Sequence, residues 1–220
     1  MPAIATIVIR KGREKPVIQQ HPWVYSGAID SVKGSPSAGN VVTLTSTDGK
    51  FLARGYWNPN SQIQVRILTW QDEPIDDDWW LNHLQRSISA RAHHGIPNAL
   101  RLVNAESDYL PGLIVDRYGD YLVIQALTLG IEQRKSALTE QLVGLLHPRG
   151  IYERSDVDVR QKEGLEPFKG LLWGEAPPRQ IEIDEYGVRM VVDVASGHKT
   201  GYYLDQSANR AELRALLAPM

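Results

Sequence analysis

A dense run of polar, charged and aromatic residues, GHKTGYYLDQSANR, extends from Gly197 to Arg210. Its two glycines, Gly197 and Gly201, let the backbone approach a ligand closely or adopt a positive φ. The neighbouring side chains offer an ammonium charge, two aromatic rings, and a carboxylate and an amide at an expected helix start. These side chains are Lys199, Tyr202, Tyr203, Asp205 and Gln206. The composition fits a cradle for a small, partly aromatic, charged ligand, and a strained turn explains it equally well.

A second group of candidate residues is basic and aromatic and lies within the first sixty positions. Cations hold RNA phosphates, and planar rings stack unpaired bases for roughly 1–3 kcal/mol each. Four cations are expected on one loop, and the other candidates at strand edges. They are Arg10, Lys11, Arg13 and Lys15 on the loop, then His21, Trp23, Tyr25, Arg54, Tyr56, Trp57 and Asn58. We favour an RNA contact for the loop and a place in the core for Trp23 and Trp57.

Two further polar stretches could carry chemistry. The first, Asn104–Asp108, precedes Leu110-Pro111-Gly112, and its Asn and Asp are typical of turns, which is the interpretation we favour. The second, Glu153–Asp156, is followed by more charges at Arg160 and Glu163. It could orient a phosphate or form a surface salt-bridge network, and the residues leave both alternatives open.

Several site classes have no sequence signature here. There is no glycine-rich dinucleotide or P-loop motif and no serine nucleophile elbow. The six histidines show no metal-ligand spacing, so no metal site is predicted. The sequence contains no cysteine, which excludes a disulfide framework, a thiolate metal site and a thiol nucleophile among these residues.

Composition indicates an ordinary soluble globular protein, with 42% hydrophobic and 23% charged residues among 220. We see no apolar run of membrane-spanning length and no secretory signal, so a cytoplasmic location without a membrane partner is expected. The net charge of −2 hides an asymmetry, since residues 1–70 carry eight Lys/Arg against three Asp/Glu. A basic first region on an acidic protein indicates a local anion-binding face, and scattered surface charge would explain it equally well.

Hydrophobic patterns predict an α+β fold. Short strands with Gly/Pro turns fill residues 1–70, with a hairpin at Asp48-Gly49, and favour a small barrel. A helix is predicted at about 77–94, ended by Gly95, with a domain boundary near 71–76.

The rest of the chain mixes hairpins with two more predicted helices. The hairpins turn at Arg117–Asp120 and Glu185–Gly187, and the second helix covers IEQRKSALTEQLVGLLH. Asp205 is expected to cap a last helix that runs to about Leu217. Its apolar edge is Leu213, Leu216 and Leu217, and we expect self-association or fraying there if nothing covers it, with a homodimer as one form.

Five ordered blocks resemble one family, the large-subunit ribosomal RNA methyltransferases I. The blocks are HPWVYSGAI, DGKFLARGYWNPNSQIQVRIL, RLVNAESDYLPGLIVDRYGD, ERSDVDVRQKEGL and GHKTGYYLDQSANR. The family makes 5-methylcytosine in 23S rRNA with S-adenosylmethionine, so the resemblance implies large-subunit ribosomal RNA as partner and S-adenosylmethionine as cofactor. It also implies a PUA-like RNA-binding barrel at 1–74, a central α+β domain at 75–195, and at 196–220 a lead-in segment with the first helix of a methyltransferase domain.

The resemblance also suggests residue roles. RNA contacts are implied for Arg10, Lys11, Arg13, Lys15, His21, Trp23, Arg54 and Asn58. The cofactor side is implied for Lys199, Thr200, Gly201, Tyr202, Tyr203, Asp205, Gln206 and Arg210. Ser207 departs from the family, in which an arginine is expected, and this puts any substrate contact there in doubt.

The family's reaction needs a thiolate that attacks the cytosine ring, and this sequence has no cysteine. No catalytic residue is therefore assigned. We expect the chain to be the RNA-docking part of a truncated methyltransferase, with weak or absent cofactor binding and no catalysis alone. A free-standing PUA-type RNA-binding protein is the alternative.

Overall fold

The computed structural model describes residues 4–91 and 98–217. Its first unit is a six-stranded sheet curled around an apolar core, in the order β2-β6-β5-β4-β1-β3. The strands are β1 Thr6–Ile9, β2 Trp23–Tyr25, β3 Ile29–Lys33, β4 Val41–Thr45, β5 Phe51–Trp57 and β6 Ile63–Thr69, and a one-turn helix, α1 Lys15–Ile18, follows β1. Neighbours pair antiparallel except β1 and β4, which are parallel.

Alternating burial explains how this sheet encloses its core. Along β4, Val42 and Leu44 are fully buried, whereas Val41, Thr43 and Thr45, which alternate with them, are half-buried. The predicted hairpin at Asp48-Gly49 is confirmed, with a connection that covers residues 46–50. Gly49 takes a φ of 85° in that turn, a conformation that favours glycine.

The second unit is a five-stranded sheet in the order β11-β10-β9-β8-β7, followed by a separate hairpin. Its strands are β7 Ala99–Asn104, β8 Leu113–Tyr118, β9 Tyr121–Ala126, β10 Gly150–Ser155 and β11 Phe168–Gly174, and the hairpin is β12 Ile181–Glu185 with β13 Val188–Val192. Only β9 and β10 pair in parallel within the described sheet, across a helix, so the predicted α+β class and both predicted hairpins are confirmed.

Three longer helices complete the described fold: α2 Asp77–Arg91, α3 Leu129–Leu146 and α4 Ser207–Leu217. The Asp76 carboxylate accepts the Trp79 backbone N–H at 2.9 Å, which supports the start of α2. Trp79 and Trp80 are buried core anchors of that helix. Residues 92–94 and Gly95, the predicted end of the helix, lie outside the described residues. Among the described helices, none is long and apolar enough to cross a bilayer.

Tyr56, on β5, joins the barrel to the central unit. Its ring lies against Gly130 in the first turn of α3, and its hydroxyl bonds to the Pro111 carbonyl and lies 2.7 Å from Thr128 Oγ1. A Cβ on Gly130 would sit 2.4 Å from the ring, so only glycine lets the ring and the helix approach this closely. Burial raises the pKa of Tyr56, which keeps its hydroxyl protonated and able to donate.

Two glycines of α3 provide a matched test of this contact. Gly130→Ala should destabilise the protein by about 1–3 kcal/mol, because the methyl group collides with the Tyr56 ring. Gly144→Ala, in the same helix with open space around it, should stabilise by about 0.5–1 kcal/mol. Urea unfolding measures both, and equal effects of the two changes would contradict the packing described.

Candidate functional site

A buried ion pair connects the barrel to the central unit. Arg66 of β6 donates from Nη2 to Glu163 Oε1 at 2.8 Å and from Nη1 to Glu106 Oε1 at 3.3 Å. The Glu163 side chain is only 1% exposed, and it also accepts from Asn58 Nδ2 at 3.1 Å and Ser61 Oγ at 2.8 Å. Burial would lower the pKa of Arg66, but the Glu163 carboxylate outweighs burial and the pKa lies above its ordinary value. The Glu163 carboxylate therefore faces a cation and accepts hydrogen bonds from three side chains.

Trp23 extends this connection to the surface. Its indole N–H donates to Glu106 Oε1 at 2.8 Å, and the Arg66 guanidinium lies 5.7 Å from the ring centroid. The core position predicted for Trp57 is confirmed. The same prediction was wrong for Trp23, which is half-buried between the two units because its polar N–H has a partner there. Glu106 lies in a short 3₁₀ turn, so the predicted turn is confirmed, but its bridging role was missed.

A cleft of about 800 Å³ opens beside these groups, between the barrel and the central sheet. Arg66, Glu106 and Glu163 line one part of it, and Trp23 and Tyr25 contribute aromatic rings. This volume lies within the range of roughly 300–1,000 Å³ that is typical of small-molecule sites.

In the sequence, the predicted basic loop precedes β2, the strand that carries Trp23 and Tyr25 of the cleft. Arg10, Lys11, Arg13 and Lys15 are all exposed, and none of them forms an ion pair with another described residue. Lys15 is not on the loop as predicted, because it begins α1, where Pro16 suits the first helical turn. The exposed His21 ring lies 5.9 Å from the Trp23 ring, so a second aromatic group stands beside the cleft.

Two other residues predicted to contact RNA are engaged within the protein. Arg54 donates to the Glu73 carbonyl at 2.7 Å and pairs with Asp72. Asn58 is 2% exposed, and its amide donates to the backbone and side chain of Glu163. Burial of Asn58 therefore speaks against a direct RNA contact, and its place in the Glu163 network explains why an amide stands there.

The main charges of the stretch at 153–163 form a buried network. Neither alternative from the sequence, a phosphate site or a surface salt-bridge network, predicted this burial. Glu153 is 0% exposed and pairs with Lys135 Nζ at 2.9 Å. Arg160 pairs with Glu132 at 2.8 Å and bonds to the Ala126 carbonyl. Because Glu153 and Arg160 each have a partner of opposite sign, the network joins β9, α3 and β10 internally and leaves no open phosphate cradle among these groups.

The run from Gly197 to Arg210 is anchored to the central unit at three places. Arg154 donates to the Gly197 carbonyl at 3.1 Å, and Thr200 donates to the buried Asp116 at 2.6 Å. The Arg210 guanidinium and the Tyr202 hydroxyl both donate to Glu185, at 2.6 and 2.8 Å. Gly201 takes a φ of 134° beside β13.

The remaining predicted cofactor residues are exposed. Lys199 Nζ lies 2.9 Å from Asp205 Oδ1 and 4.6 Å from the Tyr203 ring centroid. We expected Asp205 to cap the last helix, but its carboxylate pairs with Lys199 and it lies within a 3₁₀ turn before α4. Gln206 is exposed in the same turn, and the leucine edge of α4 is uncovered within the described structure, with Leu216 83% exposed.

This segment offers little enclosed space for S-adenosylmethionine. The two clefts beside it measure about 260 and 170 Å³, below the usual range for such ligands. Thr200, Tyr202 and Arg210 already bond to protein groups. The described residues by themselves therefore do not enclose the cofactor. No cluster of potential metal ligands occurs in residues 4–91 and 98–217.

Comparison with known proteins shows which proteins the chain resembles. A PUA-like domain family model matches residues 7–70. The ribosomal RNA large subunit methyltransferase I of Tolumonas auensis is 47% identical over 211 residues, covering 94% of this chain and 53% of that protein. The protein of the same name from Shewanella denitrificans is 48% identical, covering 93% and 53%. By sequence, the chain is similar over nearly its whole length to proteins of the ribosomal RNA large subunit methyltransferase I family. It spans about half the length of the curated relatives it matches.

Solved structures agree with this placement at the level of the fold. A putative SAM-dependent methyltransferase from Streptococcus mutans superposes with a TM-score of 0.77 at 22% identity, covering 96% of this chain and 54% of that one. A putative methyltransferase complexed with SAH gives a TM-score of 0.79 at 22% identity, covering 96% and 53%. The sequence relatives confirm the expected family resemblance, and the matching family model confirms the PUA-like domain.

Removal of Arg66 tests the buried ion pair. Arg66→Ala should destabilise folding by about 3–5 kcal/mol, because it leaves the Glu163 carboxylate buried without its counter-charge. Adding Glu163→Gln should recover part of the loss, since a neutral amide costs less to bury. Urea unfolding of the single and double variants gives the coupling energy. Strictly additive losses would contradict the pairing, and Arg189→Ala, which breaks an exposed ion pair with Glu182, should change nothing measurable.

The anchor at Glu185 predicts a pH dependence. The Arg210 guanidinium lowers the pKa of Glu185 below its ordinary 4.5, and burial together with Glu185 raises the pKa of Tyr202 to about 12. Because the folded carboxyl has the lower pKa, its stabilisation is complete above the unfolded value and is lost as the pH falls through the folded one.

Hydrogen-exchange protection of residues 204–214 should therefore be complete above about pH 4.5 and should drop as the pH falls below that value. Glu185→Gln should show weak, pH-independent protection over that range. Protection that is constant with pH in the unsubstituted protein would refute the anchor.

Proposed function

We propose that this chain docks ribosomal RNA for a SAM-dependent ribosomal RNA methyltransferase. One observation carries the proposal: Arg10, Lys11, Arg13 and Lys15 are exposed within six positions and form no ion pair with other described residues. Cations that lack an internal counter-ion keep their full charge for phosphates, and displacement of RNA counter-ions supplies binding free energy. His21 and the rings of the cleft extend this basic surface with groups that suit bases.

The relatives support the identity of the partner and the cofactor. They are named ribosomal RNA large subunit methyltransferase I, and one protein of similar fold is complexed with SAH. On this basis residues 1–74 dock RNA, residues 75–195 form the platform, and residues 196–220 lead towards the methyltransferase domain. Large-subunit ribosomal RNA is the partner, and S-adenosylmethionine is the cofactor of the whole protein. The 220-residue chain does not complete methyl transfer by itself.

A second candidate is a free-standing PUA-type RNA-binding protein without catalysis. It is favoured by the clefts beside residues 197–210, which are too small to enclose a cofactor. Both candidates share the docking step, so the same binding experiment tests them, and methyl transfer by the whole protein separates them.

The docking surface is tested by removing three of its charges. Lys11→Ala/Arg13→Ala/Lys15→Ala should weaken binding to a 23S ribosomal RNA fragment in fluorescence anisotropy. If each side chain contacts one phosphate, the slope of log K against log salt should decrease in magnitude by about 2, at roughly 0.7 per contact for single-stranded RNA. With S-adenosylmethionine added, this chain should transfer no methyl group to the RNA.

The control removes the same charge elsewhere. Lys33→Ala/Lys50→Ala/Arg179→Ala also deletes three exposed cations and should leave the salt slope nearly unchanged. Equal weakening by both triple variants would show that binding follows net charge only. Absence of RNA binding by the unsubstituted chain at low salt would refute docking, and methyl transfer by the purified chain would refute its non-catalytic role.

A further inference from the structure

Two aromatic rings of β2 face the cleft between the barrel and the central sheet. Trp23 and Tyr25 both line it, whereas Val24 between them is buried in the barrel core. Glu106 and Arg66 hold the Trp23 ring from one side, so this ring is fixed before any ligand arrives. The Tyr25 side chain is 47% exposed and makes no hydrogen bond or ring contact with another described residue.

The rim of the cleft carries polar groups that are free to bond. Asn60, Gln62, Gln161 and Lys162 are exposed and line the opening. Their side chains form no hydrogen bond with another described residue, so they are available to bond to a ligand. Side-chain amides carry both donors and acceptors, which is the combination that nucleobase edges present.

The charges of the cleft favour a neutral planar group inside and an anion outside. The carboxylates of Glu106 and Glu163 both contact Arg66, which offsets their repulsion of a ligand. Lys162 stands at the rim, the His21 ring lies 5.9 Å from the Trp23 ring, and the exposed cations of the basic loop precede both residues in the sequence. A strand whose phosphates follow these cations would bring a base to the rings, and about 800 Å³ is sufficient for one nucleotide.

We propose that this cleft binds an unpaired nucleobase of the RNA that docks on the basic loop, with Tyr25 as a stacking residue. The inference rests on the docking function proposed above and adds a base-binding site to it. Single-stranded RNA, whose bases can leave the stack, is the ligand class, and duplex RNA is not.

The test compares two RNAs that differ only in their bases. A labelled short oligouridine and an abasic oligoribonucleotide of equal length carry the same phosphates. Tyr25→Ala should weaken binding of the oligouridine about 5- to 100-fold, the usual range for loss of one stacked base, and should leave the abasic RNA unaffected. Tyr25→Phe should retain the affinity, because it keeps the ring. Tyr186→Ala, which removes an exposed ring from the distant β12–β13 turn, is the matched control and should change neither RNA.

The outcomes separate the two proposals. Equal binding of both RNAs by the unsubstituted protein, or no effect of Tyr25→Ala on the oligouridine, overturns the base site. The loop triple variant should weaken the binding of both RNAs equally. If it does so while the base site is overturned, the docking proposal stands alone. A protein that binds neither RNA loses both proposals. A cleft that serves a polypeptide would give the same null result for Tyr25→Ala.

Discussion

The ion pair between Arg66 and Glu163 fixes the barrel against the central unit, and both candidate surfaces depend on this arrangement. A carboxylate that is 1% exposed is tolerated only when its charge and its lone pairs are satisfied. All of its side-chain partners, Arg66, Asn58 and Ser61, come from the barrel. A rotation of the barrel would remove all three at once and strand the charge. The two units are therefore held in one orientation by directional bonds, and the Tyr56 ring against Gly130 adds a packing limit to it.

The same pair determines what the neighbouring cleft can bind. The charged groups of the cleft, Arg66, Glu106 and Glu163, bond to one another across the two units. Ring faces and rim amides therefore remain available for a ligand. In the proposed docking, the exposed cations of the basic loop act at longer range, because charge attracts phosphates over about a Debye length whereas stacking requires contact. The proposal therefore assigns attraction to the basic loop and discrimination to the cleft.

Local signals predicted the fold well and the site less well. The hairpin turns at Gly119 and Gly187 and the helix predicted over 131–147 follow from residues close in sequence, and the structure confirms them, with the helix at Leu129–Leu146. The Arg66–Glu163 pair joins positions 97 apart, so no local pattern could reveal it. Asn58 and the charges around Arg160 were misjudged for a common reason: charged and amide side chains are usually exposed, and their burial follows from partners elsewhere in the chain.

In the run from Gly197 to Arg210, some polar side chains hold the backbone in place and others are free to contact a ligand. Thr200 bonds to the fully buried Asp116, which also accepts a bidentate pair from Arg101, so recruiting Thr200 to a ligand would leave a buried carboxylate underbonded. Lys199 and Asp205 form an exposed pair, which contributes little to stability and can be exchanged for a ligand cheaply. Any cofactor contact by this segment is therefore expected from its exposed members, Lys199, Tyr203, Asp205 and Gln206, while the buried members hold the backbone that presents them.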